Sequence, residues 1–326
     1  MAILVALTAW VTVCASIYYT TRLNPEVRYF KRIRQTQQVW GTEVRTSGVP
    51  VIAIAGGSGT GASIRAKEAS ASLGVPVLNL GLGAGMGARV IGEAALESVR
   101  KGDTLVLMLE PSLLSGDMAP PPLGIQFAWS MGKPAWLGLG NRWTRWMSTT
   151  LQLRPGARHL TSLLVKLAIR RPLYRYQENQ IERDGSVLMR EARDFGGEES
   201  ALFKLSPGGA SWLEEMRRRG EEAGVRCVYT LPMIYCDPAQ AAVRREHLVA
   251  FLDAVRTHLP VLATPGLGIN TNRAEFSDTP YHPFPAATVA FTEELVRAAK
   301  AVSGPSPAAT PEPRAATAGT HAGAGR

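Results

Sequence analysis

Short apolar runs that alternate with helical patterns are the feature that most limits how this chain of 326 residues can fold. Runs of this length, bounded by glycine, proline or charged residues, are typical of strands buried in a parallel sheet. Five strands are predicted in this way, at residues 50–55, 76–80, 104–109, 225–231 and 260–263. Helices are predicted at residues 62–73, 89–99, 210–223, 238–258 and 285–302. Strand and helix in alternation predict an α/β domain with a doubly wound parallel sheet between two helical layers.

The interval of about 112–200 breaks this alternation. It contains three consecutive prolines at 120–122 and a stretch rich in Lys and Arg. We expect a helical insertion there, between the third and fourth strands of a domain that covers residues 50–303. Residues 304–326 consist mainly of Pro, Ala, Gly and Thr, which cannot build a packed core, so a disordered tail is predicted.

The N-terminal segment, residues 2–20, carries no charge and is long enough to cross a bilayer. A cleaved signal peptide is the alternative, but no basic residue precedes the apolar stretch and no convincing A-x-A site follows it. We therefore predict an uncleaved membrane anchor at residues 1–21. A juxtamembrane helix or linker is expected at residues 22–49.

The composition excludes several classes of protein. A chain that is 45% hydrophobic and 19% charged is not mainly disordered, and three scattered cysteines exclude a disulfide scaffold and a CxxC zinc site. Because no metal ligands cluster in the sequence, neither a metal nor a cofactor is expected. The net charge of +9 favours an anionic partner such as a membrane surface or an acidic polymer. Nucleic acid is not expected, since no binding motif accompanies the charge.

A glycine-rich turn, residues 56–63 (GGSGTGAS), follows the first predicted strand. It fits a phosphate-binding Walker A loop except at Ala62, where that loop has lysine. It also fits a dinucleotide-binding loop, but the next strand ends in Asn79 and not in a ribose-binding acid. A third interpretation makes Ser58 a nucleophile on a tight turn, where helix amides face a developing oxyanion. The fourth interpretation is a glycine-rich turn that has no chemical role.

The nucleophile interpretation requires a base, and His282 is the candidate. It lies in the loop 276–283 (FSDTPYHP), after the last predicted strand and therefore at the same sheet edge as Ser58. Asp278 is near enough in the chain to orient the imidazole and to stabilise its charged form. The pattern predicts a catalytic triad of Ser58, His282 and Asp278.

These residues resemble the blocks of the SGNH (GDSL-like) hydrolases, especially their membrane-anchored bacterial members, over about residues 51–302. Four segments carry the resemblance: 55–58 (AGGS), 76–85 (PVLNLGLGAG), 102–107 (GDTLVL) and 278–282 (DTPYH). The resemblance implies a flavodoxin-like fold, with Ser58 as the nucleophile and Asp278 and His282 as the acid and base. It also implies an oxyanion hole formed by Ser58 and by a glycine of the second block. Gly81, Gly83 and Gly85 are the candidates for this glycine, and we favour Gly83 and Gly85.

Two positions depart from the family pattern. The third block usually ends in an asparagine that donates to the oxyanion, whereas this chain has Glu110, a possible modified form of that position. A carboxylate cannot donate a hydrogen bond unless it is protonated, so Glu110 needs a raised pKa or has another role. The spacing between Asp278 and His282 is also one residue longer than the usual DxxH.

The resemblance implies a membrane-anchored serine esterase or O-acyltransferase that acts on acyl esters, including those of a cell-envelope glycan. The alternative is a catalytically impaired domain of the same fold that binds a glycan or a protein. Envelope chemistry implies an extracytoplasmic domain on a single-pass anchor. The basic residues after the span favour the cytoplasmic side under the positive-inside rule: Arg22, Arg28, Lys31, Arg32 and Arg34. The acyl donor, the acceptor and the oligomeric state stay open.

Overall fold

Four parallel strands form the central sheet of this α/β protein. The computed structural model describes residues 1–138, 149, 152–153, 157–195 and 203–303, so the predicted tail at 304–326 lies outside the described residues. The strands are β1 (Ile52–Gly56), β2 (Val77–Asn79), β3 (Thr104–Met108) and β4 (Arg226–Thr230), in the spatial order β2-β1-β3-β4. The first four predicted strands are thereby confirmed, and their carboxyl ends share one edge.

The fifth predicted strand, at 260–263, is reduced to one parallel bridge between Val261 and Tyr229. Pro260 has no N–H group to donate to the sheet. Its carbonyl oxygen accepts a hydrogen bond from the amide of Tyr229 at 2.8 Å. The ladder therefore does not extend. A small parallel ribbon that the sequence did not predict joins β5 (Ile234–Tyr235) to β6 (Ile269–Asn270).

Each of the five predicted helices has a counterpart in the structure, and further helices accompany them. Their bounds are α1 (Ala2–Tyr18), α2 (Pro25–Val44), α3 (Ser58–Ser63), α4 (Ala66–Leu73), α5 (Gly87–Leu96), α6 (Ser112–Ser115), α7 (Pro122–Ser130), α8 (Ala157–Ala168), α9 (Pro207–Ala223), α10 (Ala241–Arg256) and α11 (Pro285–Val302). The predicted helix at 62–73 is interrupted at Ile64 and Arg65, which leaves α3 as a separate short turn after β1.

The two faces of the sheet pack into two hydrophobic clusters. Alternate side chains of a strand point to opposite faces, so Ala53 and Leu105 join α2, α5, α9 and α10, whereas Ile54 and Val106 join α4 and α11. The sheet is thus covered on both faces, and its carboxyl edge stays available for loops.

The N-terminal helix α1 continues as a π-helical turn at Tyr19–Leu23. The stretch Ile3–Leu23 is long and apolar enough to cross a membrane, and only 11% of it is buried. A signal sequence near the N-terminus can also meet these criteria of length and hydropathy, so the structure establishes an N-terminal apolar helix and no more.

Helix α2 joins the hydrophobic core. It begins at Asn24, whose side chain accepts hydrogen bonds from the amides of Glu26 and Val27, with Pro25 at the first helical position. Tyr29 and Phe30 are buried on its inner face, in the same cluster as Ala53 and Leu105. The segment that follows α1 therefore packs directly on the sheet domain.

The segment between β3 and α9 contains α6, α7 and α8. After α8 the chain returns across the carboxyl edge of the sheet, where Ser186 donates to the carbonyl of Ile64 at 2.7 Å. The amide of Val187 donates to the carbonyl of Gly61 at 2.9 Å. These bonds fix the returning segment over the glycine-rich turn.

Candidate active site

The glycine-rich turn passes close to the end of β3. A Cβ on Gly56 would lie 2.0 Å from the carbonyl oxygen of Met108, and a Cβ on Gly57 would lie 2.4 Å from both carboxylate oxygens of Glu110. Thr60 donates to the same Met108 carbonyl at 2.7 Å. Glycine is therefore required where the chain turns into α3, and Ser58 becomes its first residue.

The loop that carries the predicted acid and base is closed at its base by backbone hydrogen bonds. Phe276 pairs with Pro283 in an antiparallel bridge, and the amide of Ser277 donates to the carbonyl of His282 at 2.9 Å. This closure brings positions 278 and 282 together inside the loop. The spacing that is one residue longer than DxxH is accommodated in this way.

Asp278 and His282 form the expected pair. Oδ1 of Asp278 lies 2.7 Å from Nδ1 of His282, and both side chains are 4% exposed. An aspartate at Nδ1 assigns the proton to that nitrogen and leaves the lone pair on Nε2. Nε2 is buried and has no hydrogen-bond partner among the described residues. The imidazole is thus held in one orientation by Asp278, with an unpartnered Nε2.

Two side chains from the insertion hold the other oxygen of Asp278. The Tyr176 hydroxyl donates to Oδ2 at 3.0 Å, and the Arg175 guanidinium lies 2.5 Å from it. Burial alone raises the pKa of Asp278. The hydrogen bond and charge of His282, with Arg175 and Tyr176, outweigh burial and leave the pKa below its ordinary value. Asp278 is therefore ionised at neutral pH.

Ser58 and His282 line one small apolar cavity at the carboxyl edge of the sheet. The cavity has a volume of about 20 Å³, which is room for about one water molecule. Its other walls are Tyr29, Phe30, Ile33, Gly61, Gly81, Leu82, Tyr176, Val187 and Met189. The structure thus brings the predicted nucleophile and base, more than two hundred residues apart in sequence, to one cavity. Their hydrogen bond is not formed in this conformation, since Nε2 has no partner there.

Glu110 lies directly beneath the Ser58 turn. Its Oε1 accepts from the amide of Gly59 at 3.3 Å, while Oε2 is buried with no partner in the described part of the chain. Burial raises the pKa of Glu110, and amide hydrogen bonds, including that of Gly59, and the nearby His282 offset this only in part. Glu110 therefore carries a carboxyl group whose pKa lies above its ordinary value, so its neutral form is more favourable than that of a solvent-exposed glutamate.

Of the second-block glycines, only Gly81 lines the cavity. Gly83 is buried behind the Phe30 ring, which a Cβ would approach to 2.6 Å, and Gly85 is exposed beside Leu123. The amide of Gly81 donates to Oδ1 of Asn79 at 2.9 Å. The structure therefore does not bring Gly83 and Gly85, the favoured oxyanion donors, into the cavity with Ser58 and His282.

Asn79 has a structural role in this region. Its Nδ2 donates to the carbonyls of Gly61 at 3.1 Å and Ile64 at 2.9 Å, so it ties the end of β2 to the α3 turn. This explains why a buried amide ends the strand at a position where dinucleotide-binding proteins have an acid.

Tyr176, Arg175 and the α2 side chains Tyr29 and Phe30 were not predicted as site residues. Tyr176 is separated from Asp278 by about a hundred positions, and no spacing pattern connects the two. No group of three or more potential metal ligands occurs among the residues that the structure describes.

Comparisons of this chain with protein families, with curated proteins and with solved structures give no match.

Proposed function

We propose that the chain is a serine esterase or O-acyltransferase in which Ser58 is the nucleophile, His282 the base and Asp278 the orienting acid. The observation that carries the proposal is the Asp278–His282 pair, whose imidazole has an unpartnered Nε2 and lines the same cavity as Ser58. This is the arrangement of roles that nucleophilic acyl transfer requires.

In the proposed reaction, Ser58 Oγ attacks the ester carbonyl while its proton passes to Nε2 of His282. The bond to the alcohol then breaks, and the alcohol leaves with the proton from Nε2. Water, or a hydroxyl of an acceptor, next attacks the acyl-serine with His282 again as the base, and Ser58 is regenerated. The hydrogen bond between Oγ and Nε2 is expected to form on substrate binding, as catalytic hydrogen bonds often tighten in the complex.

The size of the cavity supports a short acyl group. Room for about one water molecule admits the methyl end of an acetyl group and not a fatty acyl chain. Aromatic and aliphatic side chains form most of the wall, which favours the methyl end of such a group. We therefore propose acetyl esters as the preferred substrates.

The resemblance to the SGNH hydrolases forms part of the proposal. The strand order β2-β1-β3-β4, continued by the bridge at Val261, agrees with the flavodoxin-like order of that fold. Ser58 after β1 and the loop with Asp278 and His282 before α11 occupy the positions of the family's first and last blocks. Glu110 remains the departure at the third block.

The proposal includes a single-pass membrane protein whose α/β domain lies outside the cytoplasm, where acylated envelope glycans occur. Two of the basic residues after α1 have structural roles that are independent of topology. Arg34 is buried and donates to the carbonyl of Ala94 at 2.7 Å, and Lys31 donates to the carbonyl of Ser130 at 3.1 Å.

A membrane-impermeant maleimide tests the extracytoplasmic orientation in intact cells on a Ser72→Cys variant. Position 72 is exposed and Cys227 and Cys236 are buried, whereas Cys14 is exposed on α1 and is replaced by serine in this variant. If position 72 is labelled only after the cells are lysed, the extracytoplasmic orientation is contradicted.

A catalytically impaired binding domain is the second candidate. It is favoured by Glu110 in place of an amide donor and by the hydrogen bond that Ser58 does not make to Nε2. A fluorophosphonate probe distinguishes the candidates, because it labels only an activated serine. We expect labelling of the wild type, none in Ser58→Ala, and full labelling in Ser72→Ala, which changes an exposed serine of α4. No labelling of the folded wild type favours the binding domain.

A further inference from the structure

A second pocket, of about 210 Å³, adjoins the candidate active site on the side of Asp278. Three guanidinium groups line it, from Arg175, Arg190 and Arg193, together with the side chains of Gln177, Asn179 and Gln180. We infer that this pocket binds an oxyanion of the acyl-bearing substrate, a carboxylate or phosphate on a hydroxyl-rich molecule such as an acidic sugar. The inference rests on the proposed function and adds a substrate class to it.

The charges of the pocket leave one guanidinium without an acid. Arg175 pairs with Asp278 at 2.5 Å and Arg193 with Glu191 at 3.0 Å. Arg190 donates to the carbonyl of Asn179 at 3.1 Å, and the described residues give it no carboxylate partner. A guanidinium that still has unpaired N–H groups can bind a planar carboxylate or a phosphate by two parallel hydrogen bonds.

The neutral polar groups suit a molecule that also carries hydroxyls. The Asn179 amide offers donors and an acceptor. The side chains of Gln177 and Gln180 cap one short turn, and Gln180 also donates to the carbonyl of Leu188, but each amide keeps an N–H or a lone pair that can bind a hydroxyl group. The pocket is also smaller than the usual site for a drug-sized ligand, which fits a single sugar unit. Together these features favour an acidic sugar over a simple inorganic anion.

The pocket is held in place by the loop that carries the acid and base. The amide of Arg193 donates to the carbonyl of Ser277 at 2.9 Å, and the Ser277 hydroxyl donates to the carbonyl of Glu191 at 2.6 Å. Because the backbone of this wall is held before ligand binding, less backbone entropy is lost when the ligand binds.

Tyr176 and Met189 line both this pocket and the cavity that contains Ser58 and His282. A ligand whose oxyanion contacts Arg190 therefore has its neighbouring atoms beside Tyr176, next to His282. One substrate can place its acyl group against Ser58 and its charge in the arginine pocket.

The test first measures binding without chemistry, using full-length protein in detergent and three non-ester probes. Methyl glucuronide supplies a carboxylate, glucose 1-phosphate supplies a phosphate, and methyl glucoside is the neutral control. We expect an acidic probe to raise Tm and the glucoside to have no effect, and the acidic probe that acts identifies the oxyanion. In Arg190→Gln the Kd for that probe should increase about tenfold. The matched control Arg217→Gln removes an exposed arginine of α9 that pairs with Glu221, and it should bind like the wild type.

The second measurement compares hydrolysis of acetylated methyl glucuronide with that of 4-nitrophenyl acetate, which has no carboxylate. Arg190→Gln should raise KM for the acidic ester about tenfold and leave kcat/KM for 4-nitrophenyl acetate unchanged. Equal effects of acidic and neutral probes on Tm, or undiminished binding in Arg190→Gln, overturn the inference. If the acidic probes bind as expected but no ester is hydrolysed and no fluorophosphonate label appears, the proposed chemistry fails and the anion pocket stands.

Discussion

The hydroxyl of Tyr176 lies 3.0 Å from Oδ2 of Asp278 and 3.3 Å from Nδ1 of His282, so one phenol contacts both members of the acid–base pair. The T-shaped contact between the rings of Tyr176 and His282, 5.8 Å between centroids, fixes the plane of the imidazole. A residue of the insertion thus holds the Asp278–His282 pair in place. The insertion is therefore part of the candidate site.

Replacement of Tyr176 by Phe removes one donor to Asp278 and keeps the ring. We expect a loss of about 1 kcal/mol in the free energy of unfolding at neutral pH, as for one buried hydrogen bond. Because the folded pKa of Asp278 is lowered, its contribution to stability is present above the unfolded pKa and is lost as pH falls through the folded pKa. The variant raises that folded pKa, so acid unfolding should begin at higher pH. Urea unfolding at a series of pH values measures this.

Tyr174→Phe is the matched control, since the Tyr174 hydroxyl donates to Glu26 and not to Asp278. On 4-nitrophenyl acetate we expect Tyr176→Phe to lower kcat about tenfold and Tyr174→Phe to leave kcat near the wild-type value. Equal effects of the two variants on kcat would show that the hydrogen bond from Tyr176 to Asp278 has no specific role in the reaction.

Glu110→Gln is expected to stabilise the protein at alkaline pH. The folded pKa of Glu110 is raised by burial, so its contribution is fully present below the unfolded pKa and is lost as pH rises through the folded pKa. The glutamine side chain of the variant does not titrate, so the variant does not lose this stability as pH rises. Thermal unfolding should therefore give equal Tm values for wild type and variant near pH 4, and a higher Tm for the variant near pH 8.

Glu222→Gln is the control, because Glu222 is an exposed residue paired with Arg218 on α9 and should show no such pH-dependent gain. If the neutral carboxyl of Glu110 serves the reaction as a donor, Glu110→Gln keeps esterase activity. A loss of more than about a hundredfold in kcat would instead assign Glu110 a proton-transfer or ionic role.

The strands and the acid–base loop were predictable because each depends on local sequence. Apolar runs between turn residues determine β1 to β4, and a polar loop after the last strand must lie at their carboxyl edge. Asp278 and His282 then meet through bonds within a single loop, such as that from Ser277 to the carbonyl of His282. Local pattern and sheet topology are sufficient for these features.

The walls of the site were not predictable because they come from distant segments. Phe30 reaches the cavity from α2, and Tyr176 reaches Asp278 across about a hundred residues. Neither contact leaves a periodic signal in sequence. The choice among Gly81, Gly83 and Gly85 likewise depends on packing against Gly61 and Phe30, and sequence gives three equivalent glycines.

Gly81→Ala tests the close approach between the end of β2 and the α3 turn. A Cβ at this position would lie 2.2 Å from the amide nitrogen of Gly61 and 2.5 Å from its Cα, so the backbone must shift. We expect a loss of about 3 kcal/mol in the free energy of unfolding, at the upper end for overpacking. Gly116→Ala is the control, because a Cβ there meets open space. Similar Tm values for the two variants would contradict the described contact.

Phe30→Leu tests whether the cavity sets the length of the acyl group. The Phe30 ring is 6% exposed, forms one wall of the cavity and contacts Gly83. Leucine keeps the wall apolar and opens space toward Gly83, at a cost of about 1 kcal/mol in the free energy of unfolding. We expect the ratio of kcat/KM for 4-nitrophenyl butyrate to that for the acetate to increase about tenfold, since each buried methylene contributes about 0.8 kcal/mol. Val39→Ala, an exposed position on the same helix, is the control and should leave the ratio unchanged. An unchanged ratio in Phe30→Leu would mean that the acyl group does not enter this cavity.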